Sequence, residues 1–524
     1  MRKIFLGIKQ FLKTTDWVFL VFLIFLLQAS IVGKLSGLVW IYAWRFKYLK
    51  GGISSPYIKF YGLMMVYSII ELLLNFHRGS EYAIPGIIGV LYWTMGLLIT
   101  LQLWVALSHS GYQKVEKALK YFFLINTLFS ALQLLLVMID SKSINPFTYI
   151  GLNYKYAAST GDYIKGVMFD LSTTNMIVNC FAVFYFLYKK NYLTALLCFA
   201  VATYTTSNIG NIILILFLIW VLLFNSNRFQ KAMAVCFISI LILFITQISP
   251  TNLHYLNVKI SRMLHLKKPL LTTNWHDDSE KEKIADAYIK QKFNTTAIDT
   301  SNRKKIQNTL EVLKQEKIIS EKKQDSVLKI IEKKSGNTFY KIYLKLYGDT
   351  SGMIFSNYYT QSPGKILAFK ETLGFIKSNA STFFWGAGPG NFSSKLAHKA
   401  SGLKISGSYP SAFYYIAPEF KRRHLKITLT CFVKPPEEHS LLDMPNSVFN
   451  QLLGEYGVIG LGIFVVFYLL YTLKYWFKLS YGKILIPMCL MFLMTDYWFE
   501  AFSITVVFEL LMSIEVHRIK TQGA

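Results

Sequence analysis

Three observations predict an all-α polytopic membrane protein. Of 524 residues, 53% are hydrophobic and 16% aromatic, and the mean hydropathy is +0.36. A soluble chain of that length would carry more charge and clearer amphipathic patterning. Apolar runs near the roughly 20 residues needed to cross a bilayer recur along most of the chain. Lysines and arginines gather in alternate connections between those runs, as short cytoplasmic loops do. About 12 spans can be drawn, and between about 10 and 13 are compatible with the pattern.

The first run, 17–33, follows Arg2, Lys3, Lys9 and Lys13. It is long enough to span and lacks a cleavage site, so it reads as a membrane helix rather than a signal peptide. Further spans are drawn at 35–45, 60–76, 84–107, 118–139, 166–188, 192–206, 209–225 and 231–248, then at 448–473, 483–497 and 499–515. With the N-terminus in the cytoplasm, the inner connections carry Arg45, Lys47, Lys50 and Lys59, then Lys114, Lys117 and Lys120. Lys189 and Lys190, Arg228 and Lys231, and Lys474, Lys478 and Lys483 continue the alternation, and Arg518 and Lys520 close it. This parity places both termini in the cytoplasm and residues 249–445 outside it. The expected organisation is an N-terminal transmembrane bundle (1–248), a large extracytoplasmic domain (249–445) and C-terminal transmembrane helices (446–524).

The outer domain holds 31 Lys and Arg against 17 Asp and Glu, a large part of the net charge of +27. Long translocated domains are exempt from the charge rule. The surplus is either a solvated surface or an attractor for a polyanion such as a pyrophosphate or an acidic glycan. Residues 276–346 are Lys/Glu-rich, and "RKKIQNTLEVLKQEKIISEKK" spaces its Ile, Leu and Val as an amphipathic helix does, with Gly336 as a stop. This stretch reads as a helical insertion. Residues 350–445 are richer in Gly, Pro, Tyr and Ser and read as ordered loop with short helices. Cys180, Cys198, Cys236 and Cys489 lie in apolar runs and Cys431 in the hydrophilic stretch, with no metal-binding spacing. Neither a zinc site nor a disulfide framework is expected. No metal, cofactor or nucleic-acid partner is called for.

The tenth span is the most informative. "MPNSVFNQLLGEYGVIGLGIFVVFYLL" opens polar and closes as hydrocarbon. At about 100° per residue, Asn446, Ser447, Asn450, Gln451, Gly454, Glu455 and Gly457 fall on one half of the helix. Val448, Phe449, Leu452, Leu453, Tyr456 and Ile459 fall on the other. A polar or small face belongs against a cavity or neighbouring backbone rather than lipid. Glu455, ionisable at membrane depth, is a site candidate. Asn450 and Gln451 serve equally well as glue between helices.

The same stretch resembles the signature of the O-antigen ligase and O-antigen polymerase family. That signature is a His followed by Asn, Ser or Gln, then nine residues, then Gly-x-x-G. Here Asn446 and Ser447 take the pair, and Gly457 and Gly460 complete it. "WGAGPGNF", with Gly386, Gly388 and Gly390, is similar to the family's GxGxGxF element in its large outer loop. "KGVMFDLSTTNMIVN" resembles the G-x-F…N opening of a span, with Gly166, Phe169 and Asn175. "TYTTSNIGN" sits where the family has a Ser-Arg-Gly turn, matching at Ser207 and Gly210. The resemblance covers 166–470. Two positions depart from it: the family's His is Asn446, and its Arg after Ser207 is Asn208.

The resemblance implies a GT-C-like glycosyltransferase architecture. It further implies glycosyl transfer from a polyprenyl-pyrophosphate donor at the outer face of a bacterial cytoplasmic membrane, with membrane lipid, a flippase and a chain-length regulator as partners. Polymerase relatives vary more at these positions, which favours polymerase over ligase. An amide cannot act as a base. Three explanations stand open: a base supplied by His439, His424 or Glu455; reliance on positioning and leaving-group stabilisation; or lost activity. A leaving pyrophosphate needs fixed positive charge, best as Arg. Arg422 and Arg423 in "FKRRHLK" are the candidates, with Lys165 and Arg78 as weaker ones. Asn175, Ser207, Asn208 and Asn450 complete the expected substrate-binding set around Asn446 and Ser447. A lipid-linked glycan flippase and a non-catalytic relative are the rival readings.

Overall fold

The computed structural model describes residues 13–46, 55–148, 160–224, 226–249, 342, 346, 364–405, 407–433, 441 and 444–522. Each apolar segment drawn from the sequence contains a helix: α1 Trp17–Leu26, α2 Ile31–Arg45, α3 Pro56–Leu74, α4 Ser80–Val105, α5 Tyr112–Ser141 and α6 Ser172–Tyr188. α7 Tyr192–Tyr204, α8 Asn208–Leu223 and α9 Arg228–Leu243 complete the N-terminal bundle. The hydrophilic segment contributes α10 Gly364–Ile376, α11 Ala380–Trp385, α12 Lys395–Ala400 and α13 Lys426–Val433. α14 Val448–Ile463, α15 Gly482–Leu493 and α16 Ser503–Gln522 follow. No strand occurs among the described residues. Most of the 276–346 insertion, and His439, lie outside them.

Among the described residues, five helical stretches are long and apolar enough to cross a membrane: Pro56–Leu74, Ser80–Ser110, Tyr112–Ser141, Arg228–Ile248 and Val448–Leu473. Several others are shorter. α1 has 10 residues, about 15 Å of helix against about 30 Å of hydrocarbon. It turns back on α2, because Ser30 caps α2 through the Gly33 N–H and the Trp17 ring meets Trp40 and Trp44 at 6.0 and 5.5 Å. The last predicted span divides at Phe502, whose φ is +65°. A single turn, Trp498–Ala501, precedes that break and α16 follows it.

α6 and much of α16 are buried on all sides, so they form the centre of the bundle. Phe181 of α6 packs its ring on Phe492 and Phe508, which ties α15 and α16 to it. An acid at such depth needs partners. Glu509 of α16 has three: it accepts from Tyr61 at 2.8 Å and from Tyr468 and Thr100 at 3.1 Å each.

The hydrophilic segment caps one end of the bundle through a break in α14. Gly457 sits inside that helix at φ +61°, ψ −162°, so the carbonyls one turn earlier lose their helical partners. Other groups take them. The Gly454 oxygen accepts Ala387 N–H at 2.8 Å, the Glu455 oxygen accepts Gly388 N–H at 3.0 Å, and the Tyr456 oxygen accepts the Tyr67 hydroxyl at 3.0 Å. The approach is backbone to backbone. A Cβ on Gly457 would stand 2.4 Å from the Phe384 oxygen, and one on Gly386 (φ +73°) 2.5 Å from the Glu455 carbonyl carbon. The two glycine motifs seen in the sequence therefore interlock, and "WGAGPGNF" is a tight turn docked on α14.

Candidate functional site

Where the cap meets the bundle lies a cavity of about 400 Å³. Its polar wall is Lys34 from α2, Asp170 from the turn before α6, Lys395 and Lys399 from α12, Asn446 at the mouth of α14, and Asp496 and Glu500 from the connection between α15 and α16. Tyr92, Leu171, Phe432 and Met444 supply apolar wall. Local sequence explains the spacing. Lys395 and Lys399 are four residues apart on a helix that Ser394 caps through the Ala397 N–H at 3.0 Å, so both point the same way. Asp496 and Glu500 are four apart on the facing strip.

The cavity sets three lysines among three acidic side chains. Burial works against the Lys395 ammonium, but Asp496, Asp170 and Glu500 outweigh it and raise its pKa above the ordinary lysine value. Lys395 stands 3.9 Å from Asp496 Oδ2 and 5.8 Å from the Trp498 ring centroid. Burial lowers Lys399, with Glu500 opposing. Behind the wall, Lys365 donates to the carbonyls of Asn446 and Thr495. Burial lowers its pKa to about 7, with Asp496 opposing. Lys34 donates to the Gln28 carbonyl. The arrangement can hold an anion among the three lysines and present carboxylates to a neutral partner. No cluster of metal-binding side chains occurs among the described residues.

Of the expected site residues, Asn446 lines the cavity. Ser447 stands beside it as N-cap of α14, accepting the Phe449 N–H at 3.2 Å. The others are placed elsewhere. Glu455, read as a cavity acid, is fully buried and accepts backbone N–H groups of Gly390, Phe392 and Ser393 at 2.9, 3.3 and 3.1 Å. It anchors the glycine turn. Asn450 bridges the Pro445 carbonyl and the Thr372 hydroxyl, and Gln451 donates to Glu500 at 2.6 Å. Both are interhelical glue. Asn175 joins α5 to α6 by accepting from Asn126 at 2.9 Å and donating to Ser130 at 3.2 Å. Ser207 caps α8, with Asn208 its first residue, and the Lys165 N–H bonds Gln133. None of these four borders the cavity.

The Arg pair is not at the cavity either. Arg422 is an exposed residue bonded to Glu419 at 2.9 Å, and Arg423 pairs with Glu371 at 3.0 Å and lies over the Phe375 ring. Their charge is spent on the cap's own acids. Gly460 lies on α14 beyond the break, with no place in the cavity wall.

His424 is likewise structural. Its Nε2 donates to the Ala368 carbonyl at 3.1 Å, and its Nδ1 accepts from Ser393, 2.7 Å away. Ser393 also meets the Tyr497 hydroxyl at 2.7 Å. Burial lowers the His424 pKa to about 3, the Ala368 contact opposing. His398, also buried, is lowered to about 4 for the same reason. Both folded values lie below the ordinary 6.5. The unfolded chain therefore takes up protons that the folded one refuses. Their stabilising contribution is complete above pH 6.5 and is lost as pH falls toward 4 and 3. Melting of detergent-purified protein should drop over that window with up to about two protons' worth of slope, and His424→Gln should remove about half of the histidine share. Parallel pH–melting lines for the two proteins would contradict this.

Sequence reading did not single out Lys34, Asp170, Lys395, Lys399, Asp496 or Glu500. The signal was present: "TDYWFEAF" puts two acids into an otherwise apolar stretch, and Lys34 interrupts another. Compared with family models, curated proteins and solved structures, the chain matches none.

Proposed function

We propose that this chain is a membrane glycosyltransferase of the O-antigen polymerase or ligase type, using polyprenyl-pyrophosphate-linked oligosaccharide at the extracytoplasmic face of a bacterial cytoplasmic membrane. One observation carries the reading. The mouth of the signature helix, Asn446, opens on a cavity that combines three lysines with three carboxylates beneath a hydrophilic cap. A departing pyrophosphate needs fixed cations, and Lys34, Lys395 and Lys399 supply them in place of the arginines expected from sequence. An acceptor sugar needs hydrogen-bond acceptors, and the carboxylates in the same lining supply them. The apolar flank from Tyr92 and Leu171 suits the lipid carrier's first isoprene units.

Purified protein in lipid nanodiscs, given lipid-linked oligosaccharide, is expected to release polyprenyl pyrophosphate. Longer lipid-linked glycan identifies a polymerase, and glycan moved to a different acceptor identifies a ligase. Oligosaccharide carried across the bilayer unchanged would replace this reading with a transporter. Neither release nor transport would leave a non-catalytic relative.

A further inference from the structure

The three carboxylates of the cavity are not equivalent. Glu500 is fully engaged, one oxygen accepting Gln451 at 2.6 Å and the other the Leu396 N–H at 3.1 Å. Asp170 accepts the Thr174 hydroxyl at 3.1 Å and lies close enough to Lys34 to stabilise its charge. Asp496 differs. Its Oδ1 accepts from Asn446 Nδ2 at 3.2 Å and from the Tyr497 N–H at 2.8 Å, which fixes the plane of the carboxyl. Its Oδ2 faces the Lys395 ammonium at 3.9 Å, beyond hydrogen-bond reach. Asn446, having given its N–H to Asp496, keeps an enclosed Oδ1 with no partner among the described residues. Asn446 and Asp496 both line the cavity, and among the described residues neither Asn446 Oδ1 nor Asp496 Oδ2 has a donor in hydrogen-bond range. An enclosed acceptor left unpaired is destabilising, and a ligand bringing two hydroxyl donors satisfies both oxygens.

We infer that Asn446 and Asp496 form the acceptor-sugar site: Asn446 Oδ1 receives one hydroxyl, and Asp496 Oδ2 takes the proton of its neighbour. This rests on the glycosyl-transfer reading above. The acceptor O–H bond breaks toward Asp496, and its electron pair forms the new bond to the anomeric carbon. The bond from that carbon to the pyrophosphate oxygen breaks, its electrons remaining on the pyrophosphate beside the lysines. Asp496 then releases the proton to water. Lys395 from α12 and Lys365 from α10 face Asp496, as does Glu500 one turn on, and Lys34, Lys399 and Asp170 line the same cavity. Lys365, bonded to the carbonyls of Asn446 and Thr495, is a positioning residue.

The test uses the full chain in nanodiscs, with lipid-linked oligosaccharide extracted from the cells that make it. The same oligosaccharide, freed of lipid by mild acid, serves as acceptor. Asp496→Asn is expected to lower kcat at least about 100-fold, the lower range for a lost general base. Its donor affinity should stay within about threefold, and it should erase the acid limb of the pH–kcat profile. Asn446→Ala should raise the acceptor KM about tenfold and keep that limb. The inference is overturned if Asp496→Asn keeps kcat and the limb, or if Asp170→Asn removes the limb instead. Should Asp496→Asn fail to fold, sugar binding by Asn446→Ala, which needs no turnover, decides. Calorimetric titration of the lipid-free oligosaccharide requires no turnover. Binding weakened about tenfold by Asn446→Ala supports the site, and equal affinities sink it. A wild-type chain that binds sugar but never turns over would instead fail the transferase reading.

Discussion

Lys395→Met and Lys399→Met together are expected to reduce release of polyprenyl pyrophosphate by about 100- to 10,000-fold. The range follows from the value of each contact: a hydrogen bond to a charged group contributes about 1.5–3 kcal/mol, or roughly one to two powers of ten. Removing Lys395 alone also strips the countercharge from Asp496 and Glu500, and a carboxylate left uncompensated in a buried setting is costly in its own right. Lys395→Arg separates the two effects, because it keeps the charge while moving the point of contact. It should fold like wild type and retain part of the activity. The companion pair Arg422→Ala and Arg423→Ala should leave turnover within a few-fold, since both arginines are committed to Glu419 and Glu371 outside the cavity. Equal losses from the lysine and arginine pairs would show that the cavity is not where the anion sits. The measurement is phosphate-lipid release under donor saturation, alongside donor Kd.

How much of this was legible beforehand depended on whether a signal is local. Helix placement was, because an apolar run long enough to form a helix announces itself, and every drawn segment contains one. Length was less so: α1 stops at 10 residues where the drawn span runs on to 33, since Gln28 and the Ser30 cap of α2 end the helix where hydropathy alone would continue it. The polar half of α14 was visible as a pattern, but a helical wheel cannot say what each face meets. It grouped Asn446 with Glu455, although the two differ by more than two turns of rise and serve different neighbours. The arginine pair drew notice as a dense cluster. Yet Glu419 lies three residues before Arg422, and a salt-bridged surface turn was readable from that spacing. The lysines of the cavity come from two helices more than 350 residues apart, a convergence that only tertiary structure reveals.

Glu455→Ala is expected to be the most damaging single change in the chain. Its carboxylate accepts from three enclosed backbone donors, Gly390, Phe392 and Ser393. Truncation strands all three, and at about 1–3 kcal/mol for each unsatisfied group the loss is about 3–9 kcal/mol, comparable to the whole stability of many domains. The consequence reaches the cavity by a short path. Ser393 and Ser394 immediately precede α12, so a turn that no longer docks on α14 lets Lys395 and Lys399 drift from the wall they share with Asn446. Glu455→Gln keeps one carbonyl oxygen and should cost markedly less, because it can still serve one or two of the donors. Limited proteolysis distinguishes the outcomes. In Glu455→Ala the segment around 386–400 should become cleavable under conditions where wild type is intact, while Glu455→Gln stays closer to wild type. A Glu455→Ala protein with unchanged protection and an unchanged melting point would mean that the interlocked backbones of Gly386 and Gly457 hold the turn without the acid.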